Sequence, residues 1–156
     1  MNRKLFVYGL FLLLFLGGCK KSNEIVSYHK FKDQTWNRFE KVNFDIPILD
    51  IQKRYDVYFF ARHAKEYEFD NLDFNMIMTT PSGEERIKEY TFLFKDKTGG
   101  LMGICNQDSC SVSIVLKKGL RMEKKGMLRI EIEALVPRLQ INSLLGVGIR
   151  LVPLTK

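Results

Sequence analysis

The chain has 156 residues, a formal net charge of +7, three cysteines and 46% hydrophobic residues. That length fits one ordinary domain with its own core, which needs no disulfide framework to fold. The basic residues are scattered and no nucleic-acid recognition motif is present, so a nucleic-acid partner is not expected.

The first element is an export signal. Arg3 and Lys4 precede an apolar run from Leu5 to Leu16, broken only by Gly9, and the run closes on Leu16-Gly17-Gly18-Cys19. This resembles the lipobox of bacterial lipoproteins, a secretory signal whose cleavage site ends in a cysteine. The run is shorter than the ~20 apolar residues that cross a bilayer, and Gly17-Gly18 would break a buried helix. Leu16 suits an apolar peptidase pocket, the two glycines allow close approach to the backbone, and the Cys19 thiol is the group that accepts a diacylglycerol. Residues 1–18 are therefore expected to be a cleaved signal peptide and Cys19 the lipidation site. Arg3 and Lys4 are the only charges lost, which takes the net charge from +7 to +5. Residues 19–25 read as a lipidated tether, polar and without pattern, that would span roughly 15 Å as a flexible coil. Several acyl chains would hold the protein durably on a membrane.

Residues 26–156 are expected to form a single all-β domain, an antiparallel β-sandwich. Apolar residues recur with a period of two, not 3.6. They do so at Val42-Phe44-Ile46-Ile48, Tyr55-Val57-Phe59-Ala61, Leu72-Phe74-Met76-Met78, Tyr90-Phe92-Phe94, Val112-Ile114-Leu116, Leu128-Ile130-Ile132-Ala134 and Val147-Ile149-Leu151. Pro81-Ser82-Gly83, Asp96 to Gly100, Gly126 and Gly146 read as turns between them. Short strands at such spacing, with polar outer positions, suit a sandwich wetted on its outer faces. The segment from Leu135 to Leu145 departs from the pattern and suits a helical turn or a long loop.

With Cys19 assigned to lipid, Cys105 and Cys110 remain as an even pair in an oxidising compartment. They bracket a polar turn, and a disulfide between them is geometrically reasonable. Its chain-entropy gain over so short a loop is only about 2 kcal/mol. Lys117-Lys118, Arg121 and Lys124-Lys125 form the densest basic stretch, either a solvated turn or a contact with anionic headgroups or an acidic partner.

The order of residues along the chain resembles the gliding motility lipoprotein GldH family of Bacteroidota. The likeness is carried by Trp36, Phe44, Ile46 and Asp50, by Tyr55, Val57 and Arg62, and by Tyr67, Phe69 and Asn71-Leu72. It continues through Pro81 and Gly83, then Asp96, Gly99, Gly100 and Gly103, and ends in Val147-Gly148-Ile149-Arg150. The resemblance implies an outer-membrane lipoprotein linked to gliding and to an associated protein secretion machinery. It implies protein partners in that machinery, attachment to the membrane through lipid on Cys19, and no known enzymatic activity.

Arg62, Tyr67, Asn71 and Arg150 are the candidate binding residues. Arg62 shares strand parity with Tyr58 and Phe60, and an arginine among aromatics can stack and receive a carboxylate or a sugar. The structural alternative has Arg62 and Arg150 pairing with acidic neighbours and Asn71 closing a turn. Tyr58 and Phe60 oppose Val57 and Phe59, so their strand is either buried on both faces or carries a partner-facing aromatic patch. Trp36 is expected in the core. His29 and His63 lack any catalytic or metal-ligand spacing, and no nucleophile motif appears. No enzyme activity, cofactor or metal is expected. The reading in a different functional class is a glycan-binding or carbohydrate-uptake lipoprotein.

Overall fold

Alternating sequence becomes two antiparallel sheets in a computed structural model, which describes residues 24–154. The strands are β1 (Ile25–Lys30), β2 (Trp36–Asn37), β3 (Lys41–Ile48), β4 (Arg54–Ala64), β5 (Asn71–Thr79), β6 (Glu85–Leu93), β7 (Ile104–Cys105), β8 (Ser109–Arg121), β9 (Gly126–Ala134), β10 (Gln140–Ile141) and β11 (Leu144–Pro153). One sheet has the order β1-β11-β4-β8-β7 and the other β3-β9-β5-β6, with a two-stranded ribbon of β2 and β10 beside them. All the paired strands run antiparallel.

The period-two residues set the register, because a slip of one position would turn each apolar set out to solvent. In β3, Val42, Phe44, Ile46 and Ile48 are buried while Lys41, Asn43, Asp45 and Pro47 are exposed. In β4, Tyr55, Val57, Phe59, Ala61 and His63 point inward. The two inner faces meet in one core, where the Phe59 ring lies 4.5 Å from Phe74 and 5.2 Å from Phe92.

Trp36 closes one side of this core. It is fully buried, stacks on Phe31 at 5.1 Å, and donates its indole N–H to the Glu40 carbonyl at 2.8 Å. A buried indole needs such an acceptor.

One expectation from the sequence is narrowed and another changes. The segment from Leu135 to Leu145 is a long loop and not a helical turn, and the loop is pinned midway by β10, where Ile141 lies opposite Trp36. Gly146 is not a turn. It lies inside β11, opposite Lys30 on one side and Arg62 on the other, beside a bulge.

Phe59→Ala removes the ring that joins the two sheets. The expected cost is about 3–5 kcal/mol of unfolding free energy, measured by urea denaturation. A loss below about 1 kcal/mol would mean that the sheets do not depend on this contact.

Candidate functional site

The sandwich has two outer faces of different chemistry. On the four-stranded sheet, Lys41 pairs with Glu131 at 2.8 Å, Arg129 with Asp45 at 3.3 Å, and Thr91 donates to Asp73 at 2.7 Å. Charges of both signs are matched across strands, with exposed Ile87 and Leu93 on the edge strand β6 among them.

The five-stranded sheet carries aromatic, aliphatic and arginine side chains outward instead. Register sorts them into three rows. Lys30, Gly146, Arg62, Ser111 and Ile104 form the first. Tyr28, Gly148, Phe60 and Ser113 form the second, and Val26, Arg150, Tyr58 and Val115 the third. The aromatic row thus lies between two rows that each contain an arginine.

The glycines of β11 make this face possible. A Cβ on Gly148 would collide with the Phe60 ring, and one on Gly146 would collide with the Tyr28 hydroxyl. With no side chains there, the tips of both rings lie over β11, near-parallel at 7° with centroids 5.8 Å apart. Glycine in a strand interior permits such close approach. The Arg150 guanidinium sits 4.9 Å from the centroid of the Tyr58 ring, and its buried Nε has no hydrogen-bond acceptor. Arg62 acts on the Tyr28 phenol, opposing the upward pKa shift that burial imposes.

A groove of about 490 Å³ runs along this face, lined by Val26, Phe60, Arg150, Ser113, Met102 and Ile104 among others. Val26 is 55% and Ile104 84% exposed. The Ile104 wall is held by the disulfide between Cys105 and Cys110, which stand opposite each other where β7 meets β8. The Asn106 side chain braces the intervening turn by accepting from the backbone N–H groups of Asp108 and Ser109.

Of the four binding residues proposed from sequence, Arg62 and Arg150 share this face. Their cross-strand neighbours are glycine, serine, valine and tyrosine, not acids. Tyr67 is elsewhere. It is buried, with its ring 5.1 Å from His63 and 4.4 Å from Phe94, and its hydroxyl has no hydrogen-bond partner. Burial pushes its phenol pKa far up. Asn71 opens β5 in the opposite sheet and reaches only Asp73, at 3.5 Å. Tyr58 and Phe60 are half-buried, so β4 carries an aromatic patch instead of a second core face. Tyr28 was not singled out from sequence. The signal that finds it is Gly146-x-Gly148 in a strand, a gap into which neighbouring rings must fold.

His63 is fully buried on the inner face of β4. Its Nδ1 lies 2.8 Å from the Ala64 carbonyl, to which it donates in the neutral tautomer, while Nε2 has no partner. Burial lowers its pKa. Among the described residues no group of three His, Cys, Asp or Glu is placed to hold a metal ion, and no helix is long and apolar enough to cross a membrane. The expected signal peptide, the lipidation site Cys19 and tether residues 20–23 lie outside the described residues.

A family model described as GldH lipoprotein matches residues 24–151. The chain belongs to the GldH lipoprotein family. Gliding motility lipoprotein GldH of Flavobacterium johnsoniae is 28% identical over 125 residues, which cover 79% of this chain and 78% of the relative. A GldH homolog of Christiangramia forsetii is 20% identical over 124 residues, 80% of this chain and 75% of the relative. Both matches support reading this GldH family member as a gliding motility lipoprotein. Among solved structures, TmCBM61 in complex with β-1,4-galactotriose overlaps 86% of this chain and 90% of its own, at 10% identity and a TM-score of 0.31. That score is too low to carry any inference about ligand or fold.

Gly148→Val is expected to destabilise the domain by about 1–3 kcal/mol in urea titration, because the new side chain must displace Phe60 from β11. An unchanged midpoint would show that the ring is free to move. His63 sets a second expectation. Its folded pKa is depressed, so only the unfolded chain takes up the proton as pH falls below about 6.5. Stability should therefore decline below about pH 6.5, down to the folded pKa, and His63→Gln should remove that part of the decline. Parallel curves for the two proteins over this range would contradict it.

Proposed function

We propose that this GldH family member is a non-enzymatic binding or assembly component of the gliding motility machinery and of the protein secretion machinery associated with it. It is anchored to the outer membrane by lipid on Cys19. The observation that carries this reading is the outer face of the five-stranded sheet. Tyr28, Phe60, Tyr58, Val26 and Ile104 lie there uncovered by a third layer among the described residues, with Arg62 and Arg150 between them. Aromatic residues and arginine are enriched in the cores of protein interfaces, and a few such residues supply most of the binding energy. The gliding assignment draws its support from the family and its two named relatives.

A lipid anchor suits this work. It confines the domain to two dimensions and raises its effective concentration near membrane-embedded partners. A non-enzymatic role is supported by His63, whose ring is buried and bonded to its own strand.

One observation favours the glycan-binding reading. Trp36 and Tyr67 are both buried and offer no sugar platform, but the near-parallel Tyr28 and Phe60 rings do stand at the surface beside two arginines. Protein docking fits the face better, because the patch extends through aliphatic Val26, Val115, Met102 and Ile104.

Crosslinking from native membranes separates the two. The lipidated protein should capture motility or secretion components, and Phe60→Ala with Arg62→Glu should reduce capture at least about tenfold, the effect of losing interface anchor residues. Recovery of no such component, together with oligosaccharide binding that Tyr28→Ala abolishes, would replace this reading with the glycan one. For the anchor, a Cys19→Ala precursor should leave the membrane fraction; full retention there would end the lipoprotein reading.

A further inference from the structure

Strand register defines a membrane-side end of the sandwich. β1 starts at Ile25 opposite Leu151, which lies opposite Val57, which in turn lies opposite Lys117. The start of β1 therefore shares an end with the finish of β11, the start of β4 and the finish of β8. The β3–β4 loop (residues 49–53) and the β8–β9 loop (residues 122–125) lie at the same end, since Ile48 pairs with Gly126. Five residues, Lys20 to Glu24, separate Cys19 from Ile25, at most about 21 Å of extended chain.

This end is basic, and its lysines are displayed by a distortion of the strand. Val57 lies opposite Lys117 and Tyr55 opposite Leu120, so β8 carries one residue more than β4 between these pairs. A bulge of this kind re-aims side chains. Gly119, at a φ of +60°, sits in it, and its N–H is accepted by the Asp56 carboxylate at 2.8 Å. As a result Lys117 and Lys118 are both exposed, although successive residues of a regular strand face opposite ways. Arg54, Arg121, Lys124 and Lys125 are exposed around them. The ion pairs at this end are Lys53 with Asp50 at 3.4 Å and Arg86 with Glu84 at 2.7 Å, which leaves those six cations outside any ion pair among the described residues. Lys125 and Lys53 both act on the Asp50 carboxyl, so the two loops adjoin. Leu49, the first residue of the β3–β4 loop, is 75% exposed.

We propose that this end docks on an anionic phospholipid surface, with Lys117, Lys118, Arg121, Lys124 and Lys125 against the headgroup phosphates and Leu49 at the acyl boundary. Anionic lipid attracts such clusters within about a Debye length of the surface. Docking would hold the sandwich end-on to the bilayer. The sheet face with Tyr28 and Phe60, which runs parallel to the strands, would then point sideways toward neighbouring membrane proteins. The orientation rests on acylation of Cys19; the surface chemistry does not, so the two are tested separately.

The test uses the mature chain from residue 19 with Cys19→Ala, which has no lipid of its own. In vesicle flotation it should bind phosphatidylcholine vesicles that contain phosphatidylglycerol, bind pure phosphatidylcholine far less, and detach as salt rises. Lys117→Glu, Lys118→Glu, Lys124→Glu and Lys125→Glu together should weaken binding at least about tenfold, as expected for lost headgroup contacts. Lys65→Glu with Lys97→Glu, at the opposite end, should leave it unchanged, and circular dichroism would check that both variants keep their strands. Equal binding to both vesicle types, no binding to either, or the same loss in both variants would overturn the proposal. Release of the Cys19→Ala precursor from cell membranes washed in high salt, which removes electrostatic docking, reports on the anchor alone.

Discussion

Phe59 of β4, meeting Phe74 of β5 and Phe92 of β6 across the interior, is the contact on which the remaining structure depends. It decides which of the two alternating faces of these strands turns inward. The inner half of each strand becomes core, and the outer half becomes surface with a chemistry of its own. Both inner faces are committed to one apolar core, which leaves the outer faces and the ends of the sandwich to meet other molecules.

The two outer faces then diverge through their side chains. One matches lysine and arginine against carboxylates across strands and presents a charged, wetted surface. The other has two glycines in β11, a strand paired on both sides, and aromatic rings from both neighbours fill the space. Those rings are packed enough to be rigid and exposed enough to be touched. Rigid aromatics bind with little loss of side-chain entropy, which makes this the face suited to a partner. Arg150, with its Nε buried and unpaired, adds a charge already partly taken from water.

The tether gives the domain a direction. With lipid on Cys19, as proposed, the end where β1 starts would lie nearest the membrane, because β1 is the first strand after the tether. The bulge in β8 places two lysines at that same end. Under the two proposals, an anchor, a basic end and a sideways-facing aromatic sheet would form one arrangement for holding a binding domain at a bilayer.

Local pattern made much of this legible. The period-two strands, the buried Trp36 and the parity that sets Arg62 with Tyr58 and Phe60 all follow from short-range spacing. Gly146 was misread as a turn because a glycine in sequence carries no sign of what fills its space; only the Tyr28 ring from another strand does. Tyr67 and Asn71 lie near Arg62 in the chain, yet Tyr67 falls in the β4–β5 connection and turns into the core, while Asn71 opens a strand of the other sheet. The sequence by itself determined which residues of each strand turn inward, because side-chain alternation is a property of the backbone. Only the tertiary structure decided which outward residues become neighbours, because strand order brings Tyr28, Gly148 and Phe60 into one row from positions far apart in the chain.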